Sequence, residues 1–183
     1  MSKIKKVSCF FRVFFQLIFV VSPILLAVSW VYAPAELNLF IGMIRLDPIP
    51  VSYTHGILHT LSPSEKLLGF LVSTIPLAVE LFIVYSLIKL FRLYEQAEIF
   101  SLNNVRYLRN IGYALFVGQV INPFYQFVMG IVLTLNNPKG HRYAAFTFDQ
   151  TNISLLLMGL LMILVSWIMA EGCKLHEEQQ LTV

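Results

Sequence analysis

The sequence predicts an all-α integral membrane protein: a four-helix bundle, both termini cytoplasmic, with an ordered outer loop between helices one and two. Three observations carry this. Hydrophobic residues make up 57% of the 183, charged residues 13%, and mean hydropathy is +0.74, whereas soluble domains carry about 25% charge and about 45–50% apolar residues. Four stretches almost free of charge are each long enough to cross a bilayer, which takes roughly 20 helical residues. Nothing alternates as the strands of a membrane barrel do. Backbone groups find no water in hydrocarbon, so the stretches are read as helices. This composition excludes soluble, disordered and collagen-like chains. A net charge of +3 drawn from so few charges gives no argument for direct nucleic-acid contact.

The first span covers about 13–35, with no charge from Val13 to Ala35. Lys3, Lys5, Lys6 and Arg12 precede it. Its apolar run exceeds the roughly 7–15 residues of a signal-peptide core, and no small-x-small site precedes Trp30, so it reads as retained. The second span, about 67–88, holds one charge, Glu80. The third, about 111–135, and the fourth, about 151–170, hold none. Together they make residues 1–183 a single membrane domain with no separate soluble part. Nine of the 13 basic residues (Lys3, Lys5, Lys6, Arg12, Lys89, Arg92, Arg106, Arg109 and Lys174) fall on the side of the termini. Arg45, Lys66, Lys139 and Arg142 fall on the other. That bias places both ends in the cytoplasm of a cell bearing the protein in its inner membrane. Trp30 and Tyr32 at the outer end of span one, Phe10, Phe11, Phe14 and Phe15 at its inner end, and Trp167 near the inner end of span four read as interfacial aromatic belts.

The outer loop from Pro34 to Glu65 contains Pro34, Pro48, Pro50 and Pro63. They exclude a continuous helix and leave room for a short strand or helical turn. The second outer loop, Asn136 to Asp149, opens with the turn signal Asn-Asn-Pro-Lys-Gly. Inside, helix two is expected to continue through Leu90, Leu93 and Tyr94. Ser101 reads as the N-cap of helix three, with Phe100 and Val105 placed for a hydrophobic staple.

No catalytic, metal or cofactor motif stands out. Cys9 and Cys173 lie near the cytoplasmic ends of spans and read as free thiols. His55 and His59 are spaced i, i+4 but lack the third ligand a zinc site needs. No nucleophile–base pair suggests an enzyme.

The informative chemistry is polar and lies inside the spans. Glu80 sits deep in span two, where an ionised carboxylate costs at least ~2.5–3.5 kcal/mol. Gln119, Asn122 and Gln126 of span three share one face at i, i+3, i+7. An i+4 ladder of Ala114, Gly118, Asn122, Gln126 and Gly130 overlaps them, and span two carries Gly69, Ser73, Pro76 and Glu80. Small residues allow close approach and amides bond across it, so helices two and three are expected to pack along these stripes. Glu80, Gln119, Asn122, Gln126 and Ser73 then form a polar network that holds the helices together. The alternative is a small proton-linked transporter using Glu80 as carrier. A transport path usually shows several ionisable groups or broken-helix repeats, and Glu80 is alone. Pro23, Pro76 and Pro123 each permit a kink inside a span.

Two stretches carry a resemblance. The inner segment Leu90 to Gly112 contains Glu98-Ile-Phe-Ser101 and Leu108, Ile111 and Gly112; the chain end from Ala170 closes with Glu178 and Leu181-Thr-Val183. With four spans, they resemble the bacterial membrane family known as domain of unknown function 2975, over essentially the whole chain. Ala97 stands where that family usually has glycine. The resemblance implies no catalytic residue. It implies a neighbour instead, because members are often encoded beside a small helix-turn-helix regulator. The sequence offers two mixed-charge surfaces for such a protein: Arg92, Glu98, Arg106 and Arg109 in the inner loop, and Glu177 and Glu178 in the tail. The function expected is non-enzymatic, a sensor or regulatory partner of a cytosolic helix-turn-helix protein. Its partners would be membrane lipid and that regulator, with a homo-oligomer left open.

Overall fold

The computed structural model describes residues 3–32, 40–41, 44–45, 61–96, 98 and 101–181, with only the backbone described at 3, 32, 40–41, 44–45 and 176–181. Helix α1 (Lys3–Tyr32) is followed by strands β1 (Phe40–Ile41) and β2 (Ile44–Arg45), then by α2 (Pro63–Glu95), α3 (Leu102–Thr134) and α4 (Gln150–Leu181). The strands pair antiparallel, Phe40 opposite Arg45 and Ile41 opposite Ile44. The rest of the expected outer cap, including His55 and His59, lies outside the described residues. The helices run for 30, 33, 33 and 32 residues. At ~1.5 Å per residue each exceeds a ~30 Å hydrocarbon core, and all four are apolar enough to cross one. Each also outruns the charge-free stretch that announced it. Flanking turns such as Lys3–Arg12 and Leu102–Asn110 are charged or amide-rich but remain helical.

The distribution of side chains is the reverse of a soluble protein. Leu17, Val20, Ile24 and Val28 of α1 and Leu157, Leu161, Leu164 and Ile168 of α4 face outward. Ser22, Ser29, Ser73, Ser86, Thr134 and Ser166 are buried. The hydroxyls of Ser29, Ser86, Thr134 and Ser166 donate to the carbonyls of Leu26, Phe82, Gly130 and Ile163 at 2.7–2.9 Å. A hydroxyl satisfied by its own helix presents little more than a small side chain, which lets helices approach closely in lipid.

Helix starts follow from local chemistry. At α2 the segment Ser62-Pro-Ser-Glu65 forms a reciprocal capping box. The Ser62 amide donates to Glu65 Oε2 at 2.8 Å and the Glu65 amide to Ser62 Oγ at 3.3 Å, while Pro63 at the first helical position gives up no bonded N–H. At α3 the Asn104 amide donates to Ser101 Oγ at 3.3 Å, as the N-cap assignment requires. Val105 is buried, and its staple partner Phe100 lies outside the described residues. α1, α2 and α3 run on past Pro23, Pro76 and Pro123.

The chain forms two compact units, with the divisions falling inside α1, α2 and α3. The unit of residues 20–78 and 120–149 is built on Leu26, Trp30, Met129 and Leu133, with Phe70, Leu77 and Tyr125 packed around them. Trp30 is only 2% exposed. Its ring fills the space beside Gly69, where a Cβ would overlap it, and its Nε1 donates to Ser73 Oγ at 3.3 Å. Gly69 opens a slot on α2 that the indole of Trp30 fills, so the ring packs inside its unit instead of facing outward. After α3 the chain turns through Gly140 (φ 97°), with Thr134 Oγ1 accepting from the Tyr143 amide at 3.1 Å and Phe146 stacked on Phe127 at 4.5 Å.

The other unit comprises residues 1–19, 79–119 and 150–183. Its α2 and α3 segments form an antiparallel hairpin. Val79 and Gly118, equally far from the connecting turn, meet closely enough that a Cβ on Gly118 would lie 3.0 Å from Val79 Cγ1. α3 and α4 cross at Gly112 and Gly159, where a Cβ on either would lie 2.9 Å from the carbonyl oxygen of the other. α1 meets the end of α2 through Phe11 and Phe15, stacked on Phe91 at 5.2 and 5.6 Å. The expectation that the two small-residue stripes pair along their length is thus corrected. Gly69 and Ser73 meet Trp30 of α1, Gly118 meets Val79 of α2, and α3 and α4 cross at Gly112 and Gly159, which belong to neither stripe. Small residues permit close approach without choosing the partner.

Candidate functional site

The polar residues singled out within the spans separate into three groups. Ser73 is buried and engaged with Trp30. Asn122 and Gln126 bond to each other along α3, Gln126 Nε2 donating to Asn122 Oδ1 at 3.0 Å. One turn of helix brings them together, as their i, i+4 spacing requires. Glu80 and Gln119 form the third group. They are the chain neighbours of Val79 and Gly118, so each flanks the contact between α2 and α3. Both are half-buried. Among the described residues Glu80 makes no hydrogen bond or ion pair, and the buried Oε1 of Gln119 meets no donor. A single bonded network of all five residues is therefore not what forms. Shared helical faces do not make shared partners: Ser73 meets Trp30, and Asn122 meets Gln126.

The surface residues behave differently. Arg92 at the end of α2, Glu98 in the link, and Arg106 and Arg109 at the start of α3 are all exposed. None makes an ion pair with another described residue. Arg106 and Arg109 are spaced i, i+3 and so share a face. Glu177 and Glu178 continue α4, and their side chains lie outside the described residues.

Beside this surface lies a contact that sequence reasoning missed. Arg12 Nη1 and Glu95 Oε2 are 3.1 Å apart, with side chains 30% and 19% exposed. The pair joins α1 to the last residue of α2, next to the Phe11–Phe15–Phe91 stack, which Tyr94 meets edge-on. Opposite charges at matched depths on two helices were the available signal. By its position before span one, Arg12 reads as a marker of topology. Lys89 Nζ lies 5.4 Å above the Tyr85 ring, a geometry suited to a cation–π contact. Cys9 and Cys173 are free, Cys173 buried. Among the described residues no group of three His, Cys, Asp or Glu is placed to hold a metal ion.

Four long apolar helices, an outward hydrophobic surface and an interior of glycine and hydroxyl contacts define a multi-pass α-helical membrane protein. The chain belongs to the family described as protein of unknown function (DUF2975), whose model matches residues 30–183. The match begins at Trp30, near the end of α1. No curated protein and no solved structure matches the chain.

Proposed function

We propose that this protein is a non-enzymatic membrane anchor or sensor. Its exposed surface at the α2–α3 link would hold a cytosolic regulatory protein, of the helix-turn-helix kind that the family resemblance suggests. The observation that supports the reading is the set of exposed charges at Arg92, Glu98, Arg106 and Arg109, which engage no described partner, while the nearby Arg12 and Glu95 engage each other. Exposed charge of both signs favours a protein partner through complementarity and orientation. The excess of basic residues toward this end supports an inner-membrane protein with both termini in the cytoplasm. The test is co-purification in detergent of the wild-type protein and an Arg106→Glu, Arg109→Glu variant. A cytosolic regulator held by the first and lost by the second, at equal thermal stability, supports the reading. An identical set of captured proteins with both overturns it.

A further inference from the structure

Glu80 and Gln119 are more than two unsatisfied neighbours of a helix contact. One residue along an α-helix turns the side chain by about 100°. In an antiparallel pair, stepping from Val79 to Glu80 and from Gly118 to Gln119 turns both side chains to the same side of the contact. The spacing within each helix says which side. Gln119 lies seven residues after Gly112, and positions seven apart share a face, so it points along the face of α3 that meets α4 at Gly159. Glu80 lies 11 residues before Phe91, about three turns, so it shares the face of α2 that stacks on Phe11 and Phe15 of α1. Both therefore project into the interior of their unit rather than toward lipid.

We propose that Glu80 and Gln119 form a proton-exchange site. The carboxylate takes a proton from hydronium and releases water, and the resulting O–H donates to Gln119 Oε1, the buried acceptor that no described donor reaches. A proton suits the pair better than a metal cation. Hard cations of sodium's size take several oxygen ligands, and two side chains are placed on this side of the contact by the helix geometry. No described cation competes for Glu80. Arg12 on α1 is paired with Glu95, and Lys89 on α2 lies nine residues along, over Tyr85. α3 carries no charge beyond Arg109, and its Tyr113 is exposed. α4 carries none from Gln150 to Ala170.

The test uses the full chain in proteoliposomes and dicyclohexylcarbodiimide, an apolar reagent that couples to protonated carboxyls in apolar surroundings. Coupling is read as the mass increase on the peptide containing Glu80. The proposal expects coupling at Glu80 that falls as pH rises and is unchanged when sodium replaces potassium. It also expects coupling in Gln119→Leu, measured at the wild-type midpoint pH, to be about twofold lower, the change in protonated fraction that one interhelical hydrogen bond in lipid would produce. Thermal unfolding of Gln119→Leu confirms that the variant measured is folded. Four results would overturn the proposal: no coupling in folded protein at any pH, coupling independent of pH, protection by sodium at fixed pH, or an unchanged level in folded Gln119→Leu.

Discussion

The α3–α4 crossing gives the sharpest prediction, because two glycines of one helix answer the same substitution with opposite signs. A Cβ added at Gly159 would lie 2.9 Å from Gly112 O, 3.0 Å from Phe116 N and 3.2 Å from Leu115 Cβ. Two of the three are backbone atoms of α3 and cannot rotate away, so the helices must separate. Overpacking of this kind costs typically ~1–3 kcal/mol. Replacing glycine by alanine inside a helix also contributes about 0.8–1 kcal/mol of favourable propensity, which offsets part of the loss. Gly172 of the same helix is exposed and would place its Cβ in open space. Gly172→Ala keeps the propensity gain and has nothing to strike. The difference between the two variants cancels propensity and isolates the packing term, so Gly159→Ala should be less stable than Gly172→Ala by about 1–3 kcal/mol. Reversible unfolding in mixed micelles, followed by circular dichroism, measures both. If Gly159→Ala equals or exceeds Gly172→Ala in stability, the close crossing at Gly112 and Gly159 is wrong.

Three further outcomes follow from single contacts. In single-tryptophan variants, lipids brominated on their chains should quench Trp167, which is 59% exposed, strongly and Trp30, which is 2% exposed, weakly; equal quenching would remove Trp30 from the interior. Thr134→Val should cost about 1–3 kcal/mol in the same unfolding assay, because the Tyr143 amide loses its acceptor, and Thr134→Ser should restore most of it. A double-mutant cycle on Arg12→Ala and Glu95→Ala should give a coupling of at most about 1 kcal/mol that shrinks in high salt, since both side chains keep contact with solvent. Zero coupling at low salt would make the pair incidental.

Much of the fold was legible because it rests on local chemistry. An unbroken absence of charge, as across Gln150–Ala170, is a helix in lipid whatever its neighbours are. Ser101 caps α3 by a bond only three residues long. The same kind of signal lay unread in Ser62-Pro-Ser-Glu65, where both the capping box and the first-turn proline were visible. The surface charges Arg92, Arg106 and Arg109 are exposed because the turns that carry them lie outside the apolar stretches. The candidate site was only half legible. Helical spacing grouped Glu80, Gln119, Asn122, Gln126 and Ser73 by face, but spacing carries no information on what faces them. Ser73 went to Trp30, and Asn122 went to Gln126. Glu80 and Gln119 sit beside the α2–α3 contact that the small residue Gly118 allows.

The sequence by itself determined that the chain crosses a membrane, where its helices lie and how two of them begin. Transfer into lipid and the capping of a helix end depend on residues one at a time or a few apart. The tertiary structure decided which helix each glycine serves, why Trp30 is buried, how Arg12 finds Glu95, and which polar side chains remain unsatisfied. Association in lipid has no hydrophobic gradient to rank one partner face above another. That ranking comes from shape, from which ring fits which gap, and shape exists only once the helices are assembled.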